Sequence, residues 1–446
     1  MAADAAGPAR PRTFWVLQTG EPLHVDPGNP RPMRAMNAAD ALVAAGHRVV
    51  VWSSAFSHQH RHHRTRRPET RVVSERLEYR LIPSPGYRVN VGLGRLWDHA
   101  WLAHNLRRAL ESAEPPDACL VGYPPMEIAL VMIRWLARHR RPSLLDVKDQ
   151  WPESFLELVP GHLRPLARAA VAPYFTLARR AMGEATGILT MSESYLSWAL
   201  GLAGRPRRPA DLVVPLTRPA REPSDAEVRA ASAWWDARGV AADGRPRFCF
   251  VGSHTRSFDL GPVLSAARQL AGTHPEAEVV ICGSGERSGE WREAAKGLAN
   301  VRFPGWVDEA QIRVLAERSL AFLAPYRRLP GFEANVPNKI VDAFALGLPV
   351  VTSLGGEVGS LIRTHGVGLR YGSGERPLHE CLRALIEDPE LRARMASAAR
   401  ALYASAFDYR QAYGALTAHL EMLGAGAGPC DGWSGERSDG RRPHRA

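Results

Sequence analysis

The residues best suited to chemistry lie in Asn335–Ser353, NVPNKIVDAFALGLPVVTS. The turn Val336–Pro337–Asn338 delivers Lys339 and Asp342 onto the first turn of a short helix, which stops at Gly347 ahead of the apolar strand Val350–Val351. A helix start offers unpaired N–H groups to an anion, and a lysine beside it adds a full positive charge. An acid one turn later suits ribose hydroxyls, which need an acceptor. Phosphate, cation and hydroxyl acceptor together suit a nucleotide-sugar diphosphate. An ordinary solvated Lys/Asp pair at a helix start is the plain alternative.

Other segments could complete such a site. FCFVGSHTRSFDL (Phe248–Leu260) reads as strand, glycine, polar loop and helix. Gly252 lets a phosphate approach the backbone, and His254 or Arg256 could touch it. VVICGSGERSG (Val279–Gly289) misses the dinucleotide glycine spacing by one residue, so it reads as a β–α turn in which Gly283 borders a base, with Trp306 and Val307 as flat neighbours. Thr19–Arg34 follows the first strand and projects Gly20, Glu21, Arg31 and Arg34 toward a cleft mouth. SLLDVKDQWPESF (Ser143–Phe155) leaves another strand and puts Asp146, Lys148, Asp149 and Trp151 at the same rim. Charges at strand ends are costly unless they serve a ligand or each other. A salt bridge between loops is the alternative there.

These segments need a scaffold of alternating strands and helices. Thr13–Gln18, His47–Trp52, Ala118–Val121 and Ser143–Val147 read as strands, with helices over Pro32–Ala45 and Met126–His139. After a Pro/Arg-rich break the alternation restarts at Phe248–Val251, Glu278–Cys282, Val301–Phe303 and Leu320–Ala324, with helices between them. The pattern predicts two doubly wound α/β domains whose ligands bind in the cleft at the strands' carboxyl ends. The expected division is a flexible 1–12, an N-terminal Rossmann-like domain over 13–215, a linker region over 216–246 and a C-terminal Rossmann-like domain over 247–400. A terminal helix over 401–423 would bridge the two, followed by a disordered tail over 424–446 with too little apolar content to fold.

The chain has 446 residues, a net charge of +11 and a pI near 9.8. Its length accommodates two domains, and its basic balance favours acidic partners such as phosphorylated metabolites or anionic lipid. The densest basic run, HQHRHHRTRR (58–67), reads first as a solvated loop and second as a contact with an anionic membrane. It lacks interleaved aromatic residues, so nucleic acid is not an expected partner. Five cysteines scattered singly give neither a disulfide framework nor a zinc site. MAADAAGPARPR has no apolar core of a signal peptide, and no apolar run is long enough to span a bilayer. The expected location is cytoplasmic, with a peripheral contact at the membrane's inner face. Asp-x-Asp, a usual holder of a divalent metal on a diphosphate, does not occur, so no metal site is expected.

Together these motifs resemble glycosyltransferase family 4, in its WbuB-like surface-polysaccharide branch. The resemblance rests on GEPL with NPRPMR, AGHRVVVWSSAFSH and DVKDQWPESF in the first half, and on FVGSHTRSFDL, VRFPGWVDEAQI, APY and VPNKIVDAFALGLPVV in the second. It implies a GT-B fold, with two facing Rossmann-like domains, and a retaining, metal-independent transfer from a nucleotide-sugar, UDP-linked in expectation. No cofactor is implied. Lys339 would bind the donor diphosphate and Asp342 the ribose. The residue eight before Asp342 is Ala334 where the family has its first acid, and Glu333 stands one position off. Lys148 occupies the place of a histidine that many members carry, so that catalytic role does not transfer.

The expected chemistry is departure of the sugar with negative charge growing on the diphosphate, stabilised by Lys339, while Asp149 orients the acceptor hydroxyl. The acceptor would be a sugar, a lipid-linked glycan or a small molecule. Rival readings are a natural-product glycosyltransferase, a nucleotide-sugar epimerase of the same fold, and a catalytically degenerate scaffold that binds sugar nucleotides.

Overall fold

The computed structural model describes residues 11–28, 30–89, 92–157, 159–218, 222–372 and 374–426. Of the flexible N-terminus expected over 1–12 and the disordered tail expected over 424–446, Arg12 bonds Glu421 and Gly424 ends a helix, while residues 1–10 and 427–446 lie outside the described residues. Cys430 lies there too, and the other four cysteines are free and buried.

In chain order the N-terminal strands are β1 (Thr13–Leu17), β2 (Arg48–Ser54), the short hairpin β3–β4 (Phe56–Ser57, His62–His63), β5 (Glu69–Ser74), β6 (Leu77–Ile82), β7 (Ala118–Tyr123), β8 (Ser143–Val147), β9 (Gly187–Thr190) and β10 (Leu212–Val213). They form an eight-stranded sheet of order β10-β9-β8-β7-β1-β2-β6-β5, parallel except for β5 against β6. β1 shows why it takes the centre. TFWVL is an unbroken apolar run, so both faces can be covered. Trp15 and Leu17 enter the core under helices 93–110, 126–138, 172–184 and 193–203. Phe14 and Val16 enter the core on the opposite face.

The C-terminal strands are β11 (Arg247–Val251), β12 (Glu278–Cys282), β13 (Val301–Gly305), β14 (Ala321–Ala324), β15 (Val350–Thr352) and β16 (Gly368–Arg370). Their all-parallel sheet has the order β13-β12-β11-β14-β15-β16. Each sheet reverses direction beside one strand, at β1 and at β11, and a doubly wound sheet opens its ligand crevice at that point. The two domains give the facing Rossmann-like pair of a GT-B architecture.

The linker expected over 216–246 is corrected in part. Ser224 and Glu227 close a capping box at the start of a helix over Asp225–Asp236. That helix carries Trp235, fully buried in the C-terminal core, whose indole N–H donates to the Gln311 carbonyl at 2.9 Å. The Pro/Arg-rich stretch that precedes it makes the whole segment read as linker and hides a helix that belongs to the donor-side domain.

The chain then returns. A π-helical turn over Tyr403–Phe407 links helix 389–402 on the C-terminal domain to helix 409–424 on the N-terminal one. Tyr413, Leu416, Leu420 and Leu423 pack in the core that holds Phe14 and Val16. Glu421 reinforces the seam. Its carboxylate meets His47 at 2.7 Å, and its carbonyl accepts from Arg12 at 2.5 Å.

The basic run 58–67 is not the simple solvated loop expected. Arg64 is buried against Asp26, and His58 meets the Tyr87 hydroxyl at 2.5 Å. Half the run anchors the β3–β4 hairpin.

Replacing Trp235 by Ala is expected to destabilise the C-terminal domain by about 3–5 kcal/mol, as for other deeply buried tryptophans. Denaturant unfolding followed with Trp235→Ala and Trp235→Phe checks this. A neutral Trp235→Ala would show that helix 225–236 is not part of the core.

Candidate active site

The cleft lies between the carboxyl ends of the two sheets and encloses a cavity of about 830 Å³. On the C-terminal side three consecutive β–α turns are laddered together. Gly252 N–H donates to the Cys282 carbonyl at 3.1 Å, Gly283 N–H to the Gly305 carbonyl at 2.7 Å, and His254 N–H to the Ser284 carbonyl at 2.9 Å. The stacking demands glycine: Gly283 has φ +121, and a Cβ there would lie 1.8 Å from the Gly252 oxygen.

Lys339 reaches across this floor. A Cβ on Gly252 would come within 2.7 Å of its Cε, so the missing side chain is what lets the lysine stem pass. Helix 338–345 begins after Pro337 and ends in a left-handed Gly347, whose N–H bonds Phe344 while the Leu348 N–H bonds Ala343. Among the described residues the Lys339 ammonium has no hydrogen-bond or ion-pair partner. Burial holds its pKa below the ordinary lysine value, Asp342 opposes that shift and Arg31 adds to it. A half-buried, uncompensated ammonium at a helix N-terminus is a site prepared for an anion.

Asp342 lines the same cavity, but its carboxylate is occupied. Arg31, from the loop after β1, donates to both oxygens at 2.8 and 2.6 Å. An acid expected on the donor side and an arginine expected on the acceptor side thus form one bidentate bridge across the cleft. Ribose hydroxyls would have to share or displace it.

The remaining donor-side residues are divided. Gly252, Gly283, Trp306 and Val307 line the cavity, and Asn338 is exposed at the helix start. His254 is turned away from the cleft. It is fully buried against Trp291, its Nδ1 meets Ser288 Oγ at 2.8 Å, and burial lowers its pKa. Arg256 stands in solvent, 3.7 Å from Glu286. Glu333 accepts from Arg328 at 2.8 Å, and the Ala334 carbonyl accepts from Ser192 Oγ of the N-terminal domain at 2.6 Å.

Across the cleft, four residues expected at the rim satisfy one another. Glu21 accepts from Lys148 and from the Ala35 N–H, Lys148 also lies 3.4 Å from Asp146, and Asp146 accepts from Arg34 at 2.8 Å. Arg34 is buried and also donates to the Val214 carbonyl. This is the loop-to-loop salt bridge weighed as the alternative, and it fixes the mouth of the first sheet. Gly20 donates its N–H to Gln18 Oε1.

Asp149 and Trp151 stand outside that network. Asp149 is exposed to water, yet desolvation by the surrounding protein raises its pKa against the Gln150 N–H and Arg95. Trp151 is buried under Arg95 at 4.7 Å and against Phe155 at 4.5 Å.

Several neighbours were not legible as site residues. His99, whose pKa burial pushes down to about 3, lies 4.0 Å from Glu127 behind Trp151, and burial raises the Glu127 carboxyl. Trp234 and Ala231 of helix 225–236 and the buried Arg218 wall the donor cavity. Among the described residues no group of three or more His, Cys, Asp or Glu side chains is placed to hold a metal ion.

Residues 235–402 match the family described as glycosyl transferases group 1. Among curated proteins, glycogen synthase of Mycobacterium tuberculosis is 27% identical over 186 residues, which is 40% of this chain and 43% of the relative. The match therefore spans less than half the length of that relative. Among solved structures, sucrose-phosphate synthase from Thermosynechococcus elongatus superposes with a TM-score of 0.68 at 14% identity, over 93% of this chain and 100% of that one. HepE from Anabaena, solved with UDP and glucose, superposes at 0.60 and 17% identity over 92% and 100%. These likenesses establish the two-domain GT-B fold.

Binding of a diphosphate should return the Lys339 pKa toward its ordinary value. Between the lowered and the restored values the free lysine is neutral and the bound one charged, so binding takes up a proton and weakens as pH rises through that window. Calorimetry with UDP in buffers of different ionisation enthalpy should record the uptake, and Lys339→Ala should abolish it. Uptake unchanged in the variant would assign the proton elsewhere.

Proposed function

We propose that the chain is a retaining glycosyltransferase that moves a sugar from a nucleotide diphosphate, a UDP-sugar by preference, to an acceptor hydroxyl. The observation that carries this reading is the partnerless Lys339 ammonium, buried at a helix start above the Gly252 and Gly283 turns. The group 1 match over 235–402 supports it, because that segment contains the whole lysine and glycine floor. We further infer membership of the surface-polysaccharide branch of family 4, from the GEPL, DVKDQWPESF and VPNKIVDAFALGLPVV motifs, and a cytoplasmic location at the inner face of the membrane.

In this mechanism the diphosphate lies along the Gly252–Ser253 turn with Lys339 against it, and the base borders Trp306 and Val307. As the sugar–phosphate bond breaks, an oxocarbenium-like centre forms and charge accumulates on the leaving phosphate. Lys339 and the free N–H groups at its helix start meet that charge without reorganising. The same-face phosphate oxygen takes the acceptor proton, which leaves Asp149 to orient the hydroxyl. No step calls for a metal. Arg31 yields Asp342 to the ribose and remains close enough to add charge over the phosphates.

The missing first acid favours one rival, a protein that binds sugar nucleotides without turnover. Glu333 is held by Arg328, and the Ala334 carbonyl is held by Ser192.

A thermal-shift panel of UDP-, GDP- and TDP-sugars on the wild type and Lys339→Ala tests the donor site. One donor class should stabilise the wild type and not the variant. With an acceptor supplied, the variant should lose about 2–4 kcal/mol of transition-state stabilisation, read as a fall in kcat. A folded wild type that no donor stabilises would end this reading, and binding without turnover would move it to the scaffold.

A further inference from the structure

The N-terminal domain carries an apolar face that no described element covers. On helix 93–110, Leu93, Trp97 and Trp101 recur every fourth residue and are 84%, 60% and 41% exposed. That spacing sets them along one side, and the two indoles touch edge to face at 5.9 Å. The segment after β8 repeats the anomaly. Helix 164–170 buries none of its residues, and Leu166 is 73% exposed. Leu163 is exposed just before it.

The charge around these side chains is predominantly positive, with exposed Glu111 only at the end of helix 93–110. Between Arg88 and Leu110 the sole acid is Asp98, which is buried, and between Val159 and Gly183 there is none. Arg88, Arg107, Arg108, Arg164 and Arg168 are exposed beside the apolar residues. Indole and leucine side chains flanked by arginine match the boundary between acyl chains and anionic headgroups.

Both segments leave the carboxyl edge of the same sheet, one after β6 and the other after β8, and that edge borders the cleft. Ring contacts tie helix 93–110 to the start of the segment after β8, at Trp151 and Phe155. Arg95 of helix 93–110 lies over Trp151, Trp151 packs on Phe155, and Asp149 is two residues away.

We propose that this face docks the protein on an anionic lipid bilayer, with the stripe Leu93–Trp97–Trp101 and the Leu163–Leu166 segment at the interface and the arginines over the headgroups. The basic run 58–67 then serves at the rim, where Arg61 donates to the Arg88 carbonyl at 2.6 Å. The surface presents the Asp149 mouth to an acceptor carried in the membrane. That last point rests on the transfer reading, while the docking itself does not.

Co-sedimentation of the full chain with vesicles, in the absence of any nucleotide, separates the two. Phosphatidylcholine vesicles containing phosphatidylglycerol should bind the protein about tenfold more tightly than phosphatidylcholine alone, with the difference shrinking as salt rises. Trp97→Glu/Trp101→Glu should lower that binding about tenfold or more, while its circular-dichroism melt stays that of the wild type. Leu166→Glu should act in the same direction, which keeps the test open should the double variant misfold. Absence of binding to anionic vesicles, or variants that bind as the wild type does, would overturn the proposal. So would a wild-type dimer in sedimentation equilibrium that the Trp substitutions dissociate, because the face would then belong to a second copy.

Discussion

Everything in the donor half is arranged around one unfavourable object, a half-buried lysine with no counterion. An ammonium removed from water and left unpaired costs free energy that the rest of the fold must supply. The fold supplies it through a largely apolar parallel sheet. β11, β12 and β14 are short runs such as FCFV, VVIC and AFLA that bury on both faces and leave their turns at one edge. Gly252 removes the side chain that would block the lysine stem, and Gly283 removes the one that would collide with the turn beneath. Substituting either glycine would change the position of the charge before it changed the hydrophobic core.

The same lysine explains why the domains must be coupled. A cation that waits for an anion works only if the opposite wall can close on the ligand, and two covalent crossings limit how that wall moves. One is the segment between β10 and helix 225–236. The other is the π-helical turn at 403–407, after which helix 409–424 packs against the first sheet. Arg31 on Asp342 and Ser192 on the Ala334 carbonyl are reversible links, and the first consists of two charge-assisted hydrogen bonds with an arginine that is half exposed. Covalent crossings and apolar packing hold the hinge. A polar bridge at the cleft holds a conformation that a nucleotide can compete against.

Much of the fold was legible because parallel strands buried on both faces announce themselves as short apolar runs. β1, β8, β11 and β12 fall within a residue or so of their expected bounds. What escaped was coded in cues weaker than composition. Helix 225–236 lay in a stretch read as linker, although Ser224-x-x-Glu227 is a capping signature that could have revealed it. The site was legible by segment more than by residue. Lys339, Gly252, Gly283 and Asp342 line one cavity, as their spacing around strand ends suggested. His254 sits in the same loop yet points into the core, because a β–α turn fixes which backbone faces the cleft without fixing which side chain does. Glu21, Arg34 and Lys148 shared a rim in sequence, but their mutual pairing depends on β7 lying between β1 and β8 and bringing their ends together, and no one-dimensional pattern states that.

The chain's large positive charge also takes on a different meaning once partners are assigned. Arg34 with Asp146, Arg64 with Asp26, Arg205 with Asp211 and Arg247 with Glu278 are buried pairs that hold loops and strand ends together. Each of these pairs is formally neutral, so it adds nothing to the net +11 and attracts no ligand, since its fields are cancelled within a few ångströms. Affinity for anions survives only where cancellation fails. It fails at one half-buried point beside Gly252, where Lys339 forms the proposed diphosphate site. It fails again across an exposed face in which arginines flank tryptophan and leucine, where the requirement is area rather than position. Net charge counts these populations together, and only burial and pairing separate the structural arginines from the ones that recognise something.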